Sequence, residues 1–461
     1  MLLKNRLENL KSFIKNDNVL TKMEERYCYA SDASNNLLES KIPDIVVFVE
    51  TIEEIQNVVK YANANKIPIV SRGAGTNMVG ACLCSNGGIV LNFSKMNNIL
   101  DISADNMTIK VQPGAVLGEI KEQVEKLGLF FPPDPSNFKV STIGGAIAQS
   151  SGGALAFKYG TIKDYVLSLK VVTADGRLLV LGADTIKDSS GYHLNQLMIG
   201  SEGTLGIVVE ATLKLIPKPE AKKTVISYFA DVDKSIEAVN KILTSNIYPA
   251  AIEFMDKNSI NTVEDYVKCG LNKNAACMLL IEIDGELNSV EKESQKLYKI
   301  LEQYYALDTC ILEVNEAEQV WNARHSSFAA ASRLAPDVIS DDIIVPRKNL
   351  TQIIKSCGSI CEKYDLKVCL VGHIGDGNIH PQIVLNMENE DEYRKYCDAK
   401  AEIYKLVQEL GGTISAEHGI GVEKLPYLEK IINKDTLEYM RFIKQLFDPN
   451  NILNPGKIFK L

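Results

Sequence analysis

Two of the five histidines in this 461-residue chain fall within nine residues, in the stretch Gly372-His373-Ile374-Gly375-Asp376-Gly377-Asn378-Ile379-His380. Apolar, β-branched runs flank it, Lys367 to Val371 and Ile379 to Val384, so Gly375-Asp376-Gly377 reads as the tight turn of a β-hairpin. On that reading His373 and His380 face each other directly across two strands. Their Cβ atoms would then lie about 5 Å apart, a bite that suits two imidazoles on one divalent cation. A third histidine, His418, follows Glu417 in GGTISAEHGIG, where glycines let the backbone come close to a ligand. Two imidazoles and the Glu417 carboxylate would leave coordination positions open for a chelating substrate. The competing reading is a glycine-rich hairpin whose histidines merely hydrogen-bond to the backbone.

The elements that would position these groups follow from periodicity. Asp44 to Glu50, Thr51 to Ala64 and Lys66 to Arg72 read strand, helix, strand, and the second strand empties into Arg72-Gly73-Ala74-Gly75-Thr76-Asn77. Met78 stands where a dinucleotide fingerprint needs its third glycine, and no helix follows, so a Rossmann site is disfavoured. The exposed N–H groups of that loop can still form an anion nest. After a further strand and a helix near Val116 to Leu127 comes Phe131 to Gly160, with prolines at 132, 133 and 135 and two glycine pairs. So little side-chain bulk suits a backbone laid against a large flat ligand. A hairpin turning at Ala174-Asp175-Gly176 and a long strand ending at Pro217 complete the first part. Pro217 and Pro219 mark the best domain boundary.

From Thr224 strands and helices alternate in two similar strand-helix-strand halves, which predicts an antiparallel, ferredoxin-like sheet with helices on one face. Arg324 and the histidine hairpin lie in this part. A helix from Glu390 to Leu410 leads back toward Glu417. The expected division is 1–218, 219–410 and a C-terminal segment 411–461. The sequence shows no internal repeat.

Composition bounds the function. With 46% apolar and 24% charged residues the chain can bury a large core, and a net charge of -9 argues against nucleic acid and anionic membrane surfaces as partners. The N-terminal twenty residues read as an amphipathic helix, not a signal peptide, and no stretch is long enough to span a bilayer. Ten scattered cysteines without iron–sulfur spacing read as reduced thiols of a cytoplasmic protein.

The motifs SRGAGTN, PPDPS, the Gly144/Gly145 stretch, GSEGTLGIV, GHIGDGNIH, EHGIG and ILNPGK occur in this order from about Asp44 to Lys457. In that order the chain resembles the flavoprotein D-2-hydroxy acid dehydrogenases of the vanillyl-alcohol oxidase superfamily, the group with D-lactate dehydrogenase and the glycolate oxidase D subunit. The resemblance implies an α+β fold: a split FAD domain, 1–218 with the C-terminal segment 411–461, and an inserted ferredoxin-like cap domain, 219–410. It implies FAD contacts at Arg72, Gly73, Ala74, Gly75, Thr76, Asn77, Pro133, Asp134, Thr142, Gly144, Gly145, Ser151, Gly153, Tyr159, Gly160, Glu202, Gly203, Ile207 and Asn454. The first glycine loop has no histidine, so the FAD is expected to be non-covalent. A divalent metal, zinc, iron or manganese, is implied at His373, His380 and Glu417, with His418 as base and Arg324 as the carboxylate-binding residue. The implied reaction is oxidation of a D-2-hydroxy acid, expected to be D-lactate, with electrons leaving to a separate protein such as an electron-transferring flavoprotein. The alternatives are glycolate or D-2-hydroxyglutarate as substrate, a non-dehydrogenase flavoenzyme of the superfamily, and a metal-dependent hydrolase without flavin.

Overall fold

The computed structural model of the protein describes residues 10, 13–34 and 40–461. The expected N-terminal helix falls largely outside them; the described part of that stretch holds a 3-10 turn, Asn16–Asn18, and a short strand. The chain forms two compact units. The first comprises Met1–Ser151, Thr161–Lys218 and Glu417–Leu461, and the second Gly152–Gly160 and Pro219–Ala416.

In the first unit, strands β1 (Val19–Leu20), β2 (Ile45–Phe48), β3 (Ile69–Arg72) and β4 (Ile89–Asn92) form a sheet in the order β1-β2-β4-β3. The last three run parallel, and their sequences IVVF, IVSR and IVLN are the near-continuous apolar runs that a sheet covered on both faces requires. Helix α1 (Ile52–Asn65) makes the crossover from β2 to β3; Thr51 and Glu54 cap it reciprocally, and Ile55, Val58, Val59 and Ala62 bury its inner stripe. Strands β5 (Ile99–Ser103), β6 (Thr108–Val111), β7 (Val166–Val172), β8 (Leu178–Gly182) and β9 (Ile207–Lys214) form an antiparallel sheet in the order β5-β6-β9-β7-β8. The short helix α2 (Ile143–Gln149) lies between β6 and β7 in the chain.

The C-terminal tail joins the edge of the first sheet, where Leu453 pairs with Ile69 of β3. A buried ion pair holds it there. Lys444, on the helix Lys434–Phe447, pairs with Asp448 and donates to the carbonyls of Thr204 and Leu453, while Asp448 accepts from the N–H groups of Ile452 and Leu453.

The second unit is built on one eight-stranded sheet. Strands β10 (Ala221–Phe229), β11 (Ala251–Asp256), β12 (Cys277–Gly285) and β13 (Asp308–Leu312) alternate with helices α3 (Val232–Leu243), α4 (Lys257–Val267) and α5 (Leu287–Gln303). Their order, β13-β10-β12-β11, is ferredoxin-like. After helix α6 (Val314–His325) the pattern recurs with β14 (Asp337–Ser340), β15 (Ile343–Ile344), helix α7 (Leu350–Lys363), β16 (Lys367–His373), β17 (Asn378–Leu385), helix α8 (Glu390–Glu409) and a bridge from Thr413 to Ile344. The two halves join edge to edge through β11 and β16, the second strand of each. The repeat is one of topology, which is why the sequence shows none.

Helices occur on both faces of this sheet, not on one as expected. Helices α3, α5, α7 and α8 pack as one layer. Opposite them, Ile226, Tyr228, Met255, Met278, Leu280 and Val371 pack against Ile260 and Val263 of α4 and Val320 and Ala323 of α6. Both alternating sets of strand residues are therefore buried. Beyond that apolar patch, the α4/α6 face carries Lys222, Thr224, Glu253, Glu282, Asp284, His373, His380 and Gln382, as the registers of the paired strands require.

Replacing Asp448 by alanine leaves the buried Lys444 ammonium uncompensated and is expected to remove about 3 to 5 kcal/mol. A urea titration followed by far-ultraviolet circular dichroism would show it as a lower unfolding midpoint; an unchanged midpoint would mean that the pair does not anchor the tail.

Candidate active site

Arg72 and Gly73, at the end of β3 and the start of the glycine loop, line a crevice in the first unit together with Thr142, Gly144, Gly145, Gly203 and Ile207. Side chains are excluded there by contact. A Cβ on Gly73 would lie 2.1 Å from Thr142 Oγ1, and Gly75 has φ +72° with the Arg72 guanidinium packed against it. Thr142 caps α2 by accepting from the Gly145 N–H, which fixes the loop's opposing wall. Three more of the expected cofactor residues of this unit hold loops to one another. Asn454 Nδ2 donates to the carbonyls of Ala81 and Glu202, and Asn77 accepts from the N–H groups of Val79 and Ala81. The Glu202 carboxylate accepts from Ile420 N at 2.6 Å and Gly421 N at 2.9 Å. Burial pushes the Glu202 carboxyl up, against the pull of those two N–H groups.

Glu417 and His418 also belong to the first unit, with Glu417 Oε1 3.8 Å from His418 Nε2. Asn77 Nδ2 donates to the His418 carbonyl at 3.3 Å. The segment His418 to Gly421 is thus held by two residues, Asn77 and Glu202, expected to serve only a cofactor.

Three expected cofactor residues, Gly153, Tyr159 and Gly160, group with the second unit. Tyr159 OH donates to Asp284 Oδ2 at 2.6 Å, Lys158 pairs with the same carboxylate, and Tyr248 OH donates to the Phe157 carbonyl. This segment therefore sits on the polar part of the sheet.

The histidine hairpin is offset from the expected register. Strand β16 runs on to His373 and β17 starts at Asn378, so His373 pairs with Asn378, and His380 with Val371. The two histidines are diagonal neighbours on one face, with ring centroids 5.1 Å apart and planes at 82°. The turn is Ile374 to Gly377, one residue longer than read, because Gly372 and His373 stay in the ladder. His380 Nδ1 lies 3.2 Å from the Asp341 carbonyl, which can only accept, so Nδ1 carries the proton and Nε2 is the ring's lone-pair atom.

On the other side of the seam between the half-sheets, His373 lies directly across from Glu253 of β11, and its Nδ1 is 2.6 Å from Glu253 Oε1. Glu253 Oε2 meets Arg324 Nη2 of α6 at 2.7 Å. Burial alone would raise this carboxyl, yet the charges of His373 and Arg324 and the hydrogen bond from His373 bring it down to about 2. Arg324 is only 7% exposed, so this is not a surface salt bridge, and its Nε has no hydrogen-bond partner among the described residues. The sequence reading missed Glu253, although a carboxylate inside Ala251-Ile252-Glu253-Phe254-Met255 is the available signal. It also missed Asp342, which accepts from Asn378 Nδ2, Ser415 Oγ and Ala416 N and so braces the chain just before Glu417. Asp342 and His380 offer ligand atoms within 4.8 Å of each other. His325, left without a role, is exposed beside Trp321.

Gly73→Ala is expected to lose about 1 to 3 kcal/mol through the contact with Thr142. Gly358→Ala, inside α7 with nothing within 4 Å of its Cβ position, is expected to gain up to about 1 kcal/mol. Urea unfolding of both variants checks the pair, and equal midpoints would contradict the close approach at Gly73.

Comparison with known proteins gives this geometry its family. Residues 43–182 match the model of an FAD binding domain, and residues 218–458 that of the FAD linked oxidases, C-terminal domain. The glycolate oxidase subunit GlcD of Bacillus subtilis is 42% identical over 94% of this chain and 92% of its own length. A D-lactate dehydrogenase of Anaerostipes hadrus is 35% identical over 90% of this chain and 89% of its own, and a D-2-hydroxyglutarate dehydrogenase of Stutzerimonas stutzeri 32% over 98% of both. Among solved structures, p-cresol methylhydroxylase superposes with a TM-score of 0.82 at 16% identity, covering 99% of this chain and 97% of that one. Alkyldihydroxyacetonephosphate synthase superposes with 0.77 at 21% identity, covering 98% and 86%; at these identities the likeness shows the vanillyl-alcohol oxidase-type fold alone. The chain is an FAD-linked oxidoreductase and belongs to the FAD-linked D-2-hydroxy acid dehydrogenase family.

Proposed function

We propose that the protein is an FAD- and divalent-metal-dependent dehydrogenase that oxidises a D-2-hydroxy acid, with D-lactate as the expected substrate, to the 2-keto acid. The observation that carries this reading is the pair of adjacent hairpin imidazoles beside a buried guanidinium. Glu253 and the Asp341 carbonyl hold the Nδ1 protons of His373 and His380, which makes Nε2 the lone-pair atom of each ring, while Arg324 Nε is a buried donor with no partner among the described residues. These residues fit a divalent cation, which His373, His380 and Glu417 would hold; two imidazoles and a carboxylate suit zinc, iron or manganese.

The crevice of the first unit fits a non-covalent FAD, since Gly73, Gly144, Gly145, Gly203 and Gly206 line it with backbone and a side chain at Gly73 would meet Thr142. Arg72 to Asn77, Pro133, Asp134, Thr142, Gly144, Gly145, Ser151, Glu202, Gly203, Ile207 and Asn454 would hold it from that unit, and Gly153, Tyr159 and Gly160 from the second. When bound, FAD supplies the two-electron acceptor for the Cα hydride, and the cation supplies Lewis acidity toward the hydroxyl. The chain's own residues do the rest. Arg324 binds the substrate carboxylate through its guanidinium and fixes which face of Cα is presented; His418 takes the hydroxyl proton at a ring nitrogen.

Electrons would leave to a separate protein, with an electron-transferring flavoprotein as the expected partner, because the cysteines lack iron–sulfur spacing. No helix among the described residues is long and apolar enough to cross a membrane. Ten free cysteines support a reducing, cytoplasmic setting. Glycolate is the second reading of the substrate, favoured by the 42% identity with a glycolate oxidase subunit against 35% with a D-lactate dehydrogenase.

His418→Ala is expected to keep its flavin absorbance and to reduce D-lactate turnover with an artificial electron acceptor by about 100-fold or more. Turnover within a few-fold of the unaltered protein would remove His418 from the proposed mechanism.

A further inference from the structure

We infer that Glu253 is a positioning residue that ties the metal-binding imidazole of His373 to the substrate-binding guanidinium of Arg324. The inference rests on the functional reading just given. Glu253 is 2% exposed, and its two oxygens meet different partners: Oε1 meets His373 Nδ1 at 2.6 Å, and Oε2 meets Arg324 Nη2 at 2.7 Å. Neither contact is needed to join the strands, because the backbone ladder of β11 and β16 already pairs Glu253 with His373. An apolar side chain of similar volume would satisfy the packing at lower desolvation cost. The carboxylate is better explained by what it does to its two partners.

Toward His373 it holds the proton on Nδ1 and stops ring rotation, so that Nε2 keeps one direction. A carboxylate behind a histidine in this way orients the ring and raises its basicity as a ligand. Toward Arg324 it occupies Nη2 and leaves Nε, whose direction the planar guanidinium then fixes. One rigid side chain thus sets the spacing between the position of a cation and that of a carboxylate. That spacing is what separates a 2-hydroxy acid, whose hydroxyl and carboxylate sit on adjacent carbons, from acids with a more distant hydroxyl.

The test is Glu253→Gln in the full-length, flavin-loaded protein. An amide has one acceptor oxygen and one donor nitrogen, so it cannot accept from both His373 Nδ1–H and Arg324 Nη2–H. Zinc is titrated into the metal-free protein by calorimetry, and KM and kcat for D-lactate are measured separately. The zinc dissociation constant is expected to rise about 10- to 100-fold and KM to rise with it. Glu253→Asp, which keeps the charge but withdraws it by one methylene, is expected to move both in the same direction and serves if the glutamine variant is unstable. A variant that melts earlier while binding zinc and D-lactate with unchanged constants would overturn the inference and leave Glu253 as a structural residue. His373→Ala distinguishes the levels: if it leaves zinc binding unchanged, the parent metal reading fails; if it abolishes zinc binding while both Glu253 variants bind normally, the positioning role alone fails.

Discussion

A carboxylate taken out of water at the seam between two half-sheets loses several kcal/mol of hydration, and it persists only where good partners restore it. Glu253 has two such partners, and the polar part of the second unit's sheet is arranged around them. Because His373 and Arg324 both answer this one charge, a side chain from a strand of the second half-sheet and one from the helix that follows the first are held by a single carboxylate. The neighbouring carboxylates follow the same logic. Asp284 is met by Lys158 and Tyr159, Glu282 by Lys222, and Asp342 by Asn378, Ser415 and the Ala416 N–H.

The edge-to-edge duplication explains why such a site can exist in a well-packed unit. Joining β11 to β16 makes a sheet wider than α4 and α6 cover, and the α4/α6 face beyond their apolar patch is free to carry charge. The segment Gly152–Gly160 meets that face through Asp284 and Gly375 and belongs with the second unit. In the first unit the chemistry is the opposite. There the crevice is made by removing side chains, as at Gly73 against Thr142, and loops are tied together through Asn77, Glu202 and Asn454.

Much of this was legible in the sequence for physical reasons. The parallel strands announced themselves as apolar runs, the hairpin as alternation around a glycine turn, and the crevice as stretches too poor in side chains to pack otherwise. Register was not legible. The turn of the hairpin is one residue longer than glycine placement suggests, so the histidines are diagonal instead of opposed. Tertiary partners were invisible too. Nothing local links Glu253 to residues 71 and 120 positions away, and the helices α4 and α6 read as ordinary connections until the sheet they cover is seen. The topological repeat escaped because equal strand order needs only equal patterning, not equal residues.

Oxidation of a hydroxy acid at a metal-assisted flavin site, as proposed, can be followed by anaerobic bleaching of the purified protein's flavin absorbance. D-lactate, L-lactate, glycolate and D-2-hydroxyglutarate would be added separately, before and after chelation. Rapid bleaching by D-lactate and not L-lactate is expected, lost on chelation and restored by adding back a divalent cation. A flavin bleached by none of these acids, or bleached equally well after chelation, would contradict it.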